Sequence, residues 1–324
     1  MTLEKVIPTK EFSIIETYFK NKTLTRDDVE LGIGDDAALL RLPSAQLLVL
    51  STDTLIKGVH FPENTAAYDI GYKALAVNLS DLAAMGALPA WFSLALTLPL
   101  ADTSWLQDFT QGLFNLAKEF NVQLVGGDTT RGALSITIQA LGWVPPHQAL
   151  RRSGAKVGDK IYVSGTMGDA GLGLQVALGK MTLSSKDNQL VLNRLNQPFP
   201  KVKLGMLLRT FATSAIDLSD GLYADLNHIL TQSQVGAEIN TDNLPLSVTL
   251  KKYLSPQDAK IYALTAGDDY ELCFTIPLAK EIEFLQMIQT AQMNCTCIGE
   301  VKSEPGIQLT GFIGSLPTQG YQHF

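Results

Sequence analysis

The spacing of apolar and polar residues predicts several helices in the first half of the chain. Phe12, Ile15 and Phe19 recur at helical intervals and predict an opening helix. A long Ala- and Leu-rich stretch over residues 67–86 predicts a second helix that ends at a glycine. The amphipathic stretch over residues 104–120 predicts a third.

Short apolar runs between these helices predict strands. The runs "AALLRL" (residues 37–42) and "QLLVLSTDT" (residues 46–54) flank a Pro-Ser turn, so we expect them to pair with each other. Further strands are expected in "AWFSLALTL", "VQLVGGD" and "LSITIQALGWV".

A Pro-, Gly- and charge-rich segment, "VPPHQALRRSGAKVGD", predicts a boundary between two domains, residues 1–146 and 147–324. After it, strands such as "KIYVSG", "YELCFTI" and "CTCIGEV" mix with helices such as "LYADLNHILTQS" without a strict βαβ rhythm. This order favours an α+β fold over a doubly wound parallel sheet.

Composition excludes several classes of protein. With 25 Lys and Arg against 32 Asp and Glu, the net charge is −7, and no basic run is longer than a pair such as Arg151-Arg152, which argues against nucleic-acid binding. The three cysteines, Cys273, Cys295 and Cys297, form no zinc pattern and suit a reducing compartment. Because no signal-peptide or membrane-spanning apolar run is seen, we expect a cytoplasmic protein without a membrane partner.

The stretch "GIGDDAALL" carries two adjacent carboxylates, Asp35 and Asp36. Neighbouring residues on a strand point to opposite faces, so the two do not form one clamp. Each could bind a metal ion, hydrogen-bond the turn or face water, and the doublet alone does not decide among these.

Other aspartates also fall at predicted strand ends, where open sheets bind ligands. Asp36 precedes a strand, Asp53 and Asp128 follow strands, and Asp217 and Asp220 lie in "SAIDLSDG". Any one of these is most simply a turn or cap residue. Several that converge would repel each other, so together they predict a bound cation.

Asp81 is harder to explain as a cap because it interrupts an apolar helix. Asn78, Ser80 and Asp81 are poor helix formers, and Asn78 and Asp81 share one helix face. A buried carboxylate needs a cation or hydrogen-bond donors. Hard oxygen ligands favour Mg²⁺, which usually completes its shell with water and substrate phosphates.

Two Gly-rich junctions fit a phosphate ligand. "VGGDTTRG" and "VSGTMGDAGLG" both follow predicted strands, and the second opens a helix whose N-terminal amides are suited to hold an anion. Neither is a P-loop, and no protein-kinase motif set is present.

Seven segments together resemble the thiamine-monophosphate kinase family in order and spacing. They are "GIGDDAALL", "STDTLIKGVHF", "YKALAVNLSDLAAMGALPAW", "GGDTTRG", "RSGAKVGD", "AIDLSDGL" and "DDYELCF". The resemblance runs over nearly the whole chain, to the closing "GYQHF". It implies the two-domain α+β fold of aminoimidazole-ribonucleotide synthetase, with an N-terminal metal- and ATP-binding domain that pairs across a homodimer. The C-terminal domain would complete the ATP and substrate site. The implied activity is phosphorylation of thiamine monophosphate by ATP, with several Mg²⁺ ions, as the last step of thiamine diphosphate biosynthesis.

The same resemblance implies site residues. The positions that match the family's metal ligands are Asp36, Ser51, Thr52 (through its main chain), Asp53, Asp81, Asp128, Asp217 and Asp220. The positions that match ATP contacts are Gly127, Asp128, Arg152 and Ser219, and those that match substrate contacts are His60, Asp268 and Tyr321. In "GDDYE", Asp268 replaces the glutamate of the family and is one methylene shorter. No protein nucleophile is expected, because the phosphate oxygen of the substrate is already ionised and is able to attack ATP directly.

Two other functions compete with this interpretation. A sister synthetase of the same fold would carry a reactive cysteine near its N-terminus or at its C-terminal end, whereas the first cysteine here is Cys273 and the chain ends in His323-Phe324. A non-catalytic nucleotide-binding regulator would be expected to have lost ligands, and the set of carboxylates here is intact.

Overall fold

The computed structural model describes residues 11–314 and 316. The chain divides into two compact units: the first comprises Met1–Asn78 and Pro89–Trp143, and the second comprises Leu79–Leu88 and Val144–Phe324. Each unit contains both helices and a sheet. The predicted α+β class is confirmed.

Ten α-helices and twelve strands are present in the described part of the chain. The helices are α1 (Glu11–Ile14, continued by a π-helix over Ile15–Lys20), α2 (Ala67–Ala84), α3 (Thr103–Glu119), α4 (Asp169–Ala177), α5 (Ser185–Asn196), α6 (Val202–Leu208), α7 (Leu222–Ser233), α8 (Val248–Tyr253), α9 (Pro256–Thr265) and α10 (Glu281–Thr290). The strands are β1 (Val29–Leu31), β2 (Leu39–Leu40), β3 (Leu47–Ile56), β4 (Leu88–Leu98), β5 (Gln123–Arg131), β6 (Ser135–Val144), β7 (Lys160–Ser164), β8 (Ser214–Asp217), β9 (Gly236–Asn240), β10 (Leu272–Ile276), β11 (Cys295–Lys302) and β12 (Gly306–Thr310).

The first unit is built on a four-stranded sheet in the order β3-β6-β4-β5. Strands β4 and β5 run parallel, and their register shifts between Phe92 and Ser93. Trp91 is buried beside Val125, and its ring lies 5.3 Å from that of Trp143. This apolar layer supports the strands that carry the candidate ligands.

The expected pairing of the runs at residues 37–42 and 46–54 is wrong. Strand β2 pairs antiparallel with β1, through Val29 and Leu40, and β3 joins β6 in the larger sheet. The Pro-Ser turn therefore connects two sheets instead of closing a hairpin. Strand β1 is only three residues long and gave no clear signal in the sequence, so the actual partner of β2 was missed.

The second unit is built on a six-stranded sheet in the order β12-β9-β11-β7-β10-β8. All neighbours are antiparallel except β12 and β9. Central residues such as Ile161, Val163 and Cys273 are fully buried and pack with the apolar side of α7. This sheet fixes the end of β8, where Asp217 lies.

The three helices predicted in the first half of the chain are confirmed. Helix α2 ends before Gly86, whose φ of 65° is the left-handed conformation that glycine adopts at helix ends. The division between the two units passes through α2, between Asn78 and Leu79. Among the helices that the structure describes, none is long and apolar enough to cross a bilayer.

Candidate functional site

The two carboxylates of "GIGDD" have different roles. The backbone N–H of Asp36 donates a 2.9 Å hydrogen bond to Asp35 Oδ1, so Asp35 stabilises the turn between β1 and β2. Gly34, with a φ of 131°, allows this turn. Both carboxylates are exposed and line the same cavity, and the side chain of Asp36 takes no part in this turn hydrogen bond.

A cavity of about 710 Å³ in the first unit brings Asp36 and Asp128 together. Its wall also includes Gly127 from β5 and the side of the N-terminal helix that carries Phe19 and Lys20. Two predicted metal positions, Asp36 and Asp128, thus share one cavity with the two predicted ATP positions Gly127 and Asp128.

Asp53 and Asp128 lie inside strands, not after them as expected. Asp53 belongs to β3, and Asp128 pairs with Ala95 within β5. The polar residues that follow the apolar part of β5 continue the ladder with β4 as far as Arg131. Backbone pairing therefore extends beyond the point where the hydrophobic signal ends.

Gly127 is the position on the cavity wall that least tolerates a side chain. Its φ is 151°, and a Cβ there would lie 1.8 Å from the carbonyl oxygen of Leu94. The adjacent Gly126 would meet nothing within 4 Å. A glycine is therefore required at Gly127 for the close approach of β5 to β4. Gly127 is also exposed on the cavity wall.

Gly127→Ala should destabilise the protein by about 1–3 kcal/mol, the usual cost of holding a residue in a strained conformation. Gly126→Ala is the matched control and should stay within about 0.5 kcal/mol of the wild type. Urea unfolding of both variants measures the difference. Equal stability of the two variants would contradict the tight approach of the two strands.

Strand β3 divides its polar residues between its two faces. Ser51 and Asp53 alternate with Thr52, whose hydroxyl accepts a long hydrogen bond (3.5 Å) from Gln139 Nε2 on the opposite face. Asn78 on α2 accepts a 3.1 Å hydrogen bond from the backbone N–H of Asp53. The side chain of Thr52 thus points away from the face of Ser51 and Asp53.

His60 lies in the turn after β3. Its Nδ1 accepts a 3.0 Å hydrogen bond from the backbone N–H of Ile56. This contact fixes the ring orientation and, in the neutral ring, leaves the proton on Nε2.

In the second unit, the polar segment of α2 meets the end of β8. Ser80 is fully buried, and its hydroxyl donates a 2.8 Å hydrogen bond to Asp217 Oδ2. Asp81 is the next residue on the helix. The predicted metal positions Asp81 and Asp217 therefore belong to neighbouring parts of this unit.

The loop after α9 joins the loop after β8. The backbone N–H of Asp268 donates to the carbonyl of Ser219 at 2.9 Å, and that of Tyr270 donates to Leu218 at 2.8 Å. Asp268 and Tyr270 have φ angles of 68° and 48°, which are rare for residues other than glycine. A predicted substrate position and a predicted ATP position thus share one backbone contact.

Asp225, which sequence analysis did not single out, supports the same loop. Its carboxylate accepts a 3.0 Å hydrogen bond from the backbone N–H of Asp220. Burial raises the pKa of Asp225 to about 7, while the nearby positive charge of Arg152 acts in the opposite direction. Arg152 and Asp220, both predicted from the resemblance, therefore lie around one buried carboxylate.

The expectation that the amides at the start of α4 hold a ligand anion is wrong. Asp269 Oδ2 accepts a 2.6 Å hydrogen bond from Gly168 N–H, and Asp269 Oδ1 accepts a 3.3 Å bond from Ala170 N–H. Burial raises the pKa of Asp269 to about 7. A carboxylate of the protein, which lies some 100 residues later in the chain, already occupies the position proposed for a phosphate.

Glu271, in the same "GDDYE" segment, is the centre of a buried charge network. Its Oε1 lies 3.1 Å from Arg194 and 3.0 Å from Lys201, and its Oε2 accepts a hydrogen bond from Ser164. Only 1% of the side chain is exposed. The network fixes the end of the loop that carries Asp268.

The donor chemistry of the candidate site fits Mg²⁺. Asp36 and Asp128 offer carboxylate oxygens to one cavity beside the glycine backbone of β5. Over residues 11–314 and 316, no group of three or more His, Cys, Asp or Glu side chains forms a metal cluster. Mg²⁺ in phosphate-transferring sites needs only one or two carboxylates, since water and phosphate oxygens supply the other ligands. The predicted substrate position Tyr321 lies outside the described residues.

Comparisons with known proteins identify close relatives. Residues 34–144 match the family model "AIR synthase related protein, N-terminal domain", and residues 156–311 match the corresponding C-terminal domain. Thiamine-monophosphate kinase of Escherichia coli K12 is 47% identical over 320 residues, which cover 97% of this chain and 98% of the relative. The crystal structure of thiamine-monophosphate kinase from Stenotrophomonas maltophilia K279a is 46% identical, covers 92% of this chain and 96% of that one, and has a TM-score of 0.87. AaThiL complexed with AMPPCP and TMP is 32% identical, covers 90% and 92% of the two chains, and has a TM-score of 0.78.

Proposed function

This chain belongs to the thiamine-monophosphate kinase family, and we propose that it transfers the γ-phosphate of ATP directly to thiamine monophosphate at a magnesium site. The phosphorylation of thiamine monophosphate by ATP follows from the near-full-length relatives and from the AaThiL complex with AMPPCP and TMP. The observation that carries the magnesium part is the cavity shared by Asp36, Gly127 and Asp128.

The metal positions fall into two groups. In the first unit, Asp36, Ser51, Asp53, Asp128 and the main chain of Thr52 would hold Mg²⁺. In the second unit, the corresponding residues are Asp81, Asp217 and Asp220. Bound Mg²⁺ would neutralise phosphate charge. The residues of this chain would supply oxygen ligands, among them the Asp217 carboxylate, which accepts a hydrogen bond from Ser80.

The remaining predicted positions would bind the two substrates. Residues 1–146 would provide the backbone of Gly127 to the phosphates of ATP, as well as the dimer contact. Residues 147–324 would provide Arg152 and Ser219 to ATP. His60 and Asp268 would contact thiamine monophosphate, with the imidazole of His60 already oriented by Ile56 N–H.

Direct transfer requires little covalent chemistry from the protein. A phosphate oxygen of thiamine monophosphate forms a bond to the γ-phosphorus, and the bond from that phosphorus to the β,γ-bridging oxygen breaks, which leaves ADP and thiamine diphosphate. Alignment of the two phosphates and neutralisation of their charge provide the rate enhancement. No general base is needed because the attacking oxygen is ionised at neutral pH.

Product identification tests the function. The protein is incubated with ATP and Mg²⁺ and with either thiamine monophosphate or thiamine, and the products are separated by chromatography. We expect thiamine diphosphate and ADP in equal amounts from thiamine monophosphate only. Turnover with thiamine alone, or ATP hydrolysis without a phosphorylated product, would contradict the proposal.

The exposed face of the sheet in the first unit supports the proposed homodimer. Leu48, Leu50 and Ile56 on β3 are 50%, 52% and 42% exposed and lie on the same face as Thr52 and Thr54. Strand β3 is at the edge of the sheet. Exposed apolar side chains on an edge strand are typical of a protein-protein contact surface, because association removes them from water.

Leu50→Lys should shift the protein from dimer to monomer, because a charge in the middle of an apolar interface is costly to desolvate. Leu278→Lys is the matched control, since Leu278 is 63% exposed outside this face. Light scattering after size-exclusion chromatography measures the mass of both variants. A dimer that survives in Leu50→Lys, or a monomeric wild type, would refute this interface.

We also place the protein in the cytoplasm. Cys273, Cys295 and Cys297 are free thiols, which suits a reducing compartment. Burial raises the pKa of the Cys295 thiol to about 12, so the thiol stays protonated and unreactive at neutral pH.

A further inference from the structure

Ser80 is a buried hydroxyl in the middle of a helix that is otherwise rich in Ala and Leu. It is fully inaccessible to solvent and has a weaker helix propensity than its neighbours. A buried hydroxyl is costly unless it is hydrogen-bonded. Its partner therefore indicates why a serine occupies this position.

Helical hydroxyls usually bond to their own helix, and other residues of this chain do so. Thr110 Oγ1 donates to the carbonyl of Leu106 at 2.8 Å, and Thr265 and Thr290 make the same contact four residues back. Ser80 instead donates to Asp217 Oδ2, which is 137 residues later in the chain. The default role of a hydroxyl inside a helix does not account for this contact.

The carboxylate of Asp217 is almost completely buried, which limits the groups that can contact it. It is the last residue of β8, it is 5% exposed, and a carboxylate only accepts hydrogen bonds when ionised. A hydroxyl that donates to one of its oxygens fixes the plane of the group and partly satisfies its charge. The plane of the carboxylate decides where its other oxygen points.

We propose that Ser80 is a positioning residue that holds the Asp217 carboxylate in the orientation needed to bind Mg²⁺. The inference rests on the proposed function, since it takes Asp217 as a metal ligand. A second polar residue of α2, Asn78, contacts another candidate ligand, since its side-chain oxygen accepts a hydrogen bond from the backbone N–H of Asp53. The polar interruption of α2 thus contains one candidate ligand, Asp81, and two residues that position others.

The test compares Ser80→Ala with Ser214→Ala. Ser214 is also fully buried, lies on β8 three residues before Asp217, and bonds to Thr275 Oγ1 at 2.7 Å without contacting Asp217. Both variants lose one buried hydroxyl. Only Ser80→Ala loses the contact to the candidate ligand.

Mn²⁺ serves as the probe, and its binding to the full chain in the presence of AMPPCP is followed by electron paramagnetic resonance. For Ser80→Ala we expect half-saturation at a roughly tenfold higher Mn²⁺ concentration, as is usual when a residue that supports a metal ligand is lost. The Mg²⁺ concentration for half-maximal turnover should rise by the same factor, while kcat at saturating Mg²⁺ changes less. Ser214→Ala should match the wild type in both assays.

Three results would overturn the inference. Ser80→Ala with unchanged Mn²⁺ binding but a lower melting temperature would show a purely structural hydroxyl. An equal shift in Ser214→Ala would show general loosening of β8. After either of these two results, the proposed function would still stand if the wild type phosphorylates thiamine monophosphate. A wild type that neither binds Mn²⁺ nor phosphorylates thiamine monophosphate would overturn both proposals.

Discussion

Asp53→Asn and Asp81→Asn should each lower kcat by at least about a thousandfold, which corresponds to about 4 kcal/mol of lost transition-state stabilisation. Each change removes one negative charge from a proposed magnesium ligand while the volume of the side chain is nearly conserved. Far-ultraviolet circular dichroism and the melting temperature should stay close to those of the wild type. Turnover is measured at saturating ATP, thiamine monophosphate and Mg²⁺.

Asp108→Asn is the control for the change in net charge. Asp108 is exposed on α3, so its loss should leave turnover unchanged. Near-normal activity of both Asp53→Asn and Asp81→Asn at saturating Mg²⁺ would refute the magnesium site. A loss that excess Mg²⁺ restores would instead place that residue at the edge of the site.

Glu271→Gln should destabilise the protein by about 3–5 kcal/mol, since it removes the buried negative charge that pairs with the partly buried Arg194 and Lys201. The side chain of Glu271 is almost completely buried, whereas those of Arg194 and Lys201 are 26% and 23% exposed. Because Glu271 ends the loop that carries Asp268, loss of activity should accompany loss of stability. Urea unfolding at neutral pH measures the change.

Glu300→Gln is the matched control. Glu300 also binds two lysines, Lys160 and Lys302, at 2.7 and 2.8 Å, but its side chain is 33% exposed. These ion pairs lower the pKa of Glu300 to about 2. Solvent screens such pairs, so this variant should lose no more than about 1 kcal/mol. Similar losses in the two variants would show that the Glu271 network contributes no more than a surface pair.

Hydrophobic periodicity predicted the elements that bury a continuous apolar face. Helices α2 and α3 and strands β4, β7 and β10 each bury an apolar face, and the structure contains them where expected. The sequence pattern did not predict short elements or the polar parts of longer ones. Strand β1 has three residues, and β5 continues through the polar stretch after Gly127 because β4 pairs with it.

In the candidate site, too, the sequence predicted some features and missed others. The sequence offered candidate ligands, namely aspartates near strand ends, and the resemblance to one family supplied the candidate site residues. The sequence does not indicate which donor meets which acceptor across a hundred residues. Asp269 was therefore missed as the partner of the α4 amides, and Ser80 as the partner of Asp217. Asp225, Arg194 and Glu271 each look like an ordinary charged residue until the fold buries them.

A rapid-quench experiment with ATP labelled at its γ-phosphate tests direct transfer most closely. The protein is mixed with labelled ATP and Mg²⁺, with and without thiamine monophosphate, and quenched under conditions that preserve acyl phosphates. We predict that label passes into thiamine diphosphate without a lag and that no label remains on the protein when the acceptor is absent. Label that accumulates on the protein and then moves to added thiamine monophosphate would contradict direct transfer and require a protein nucleophile.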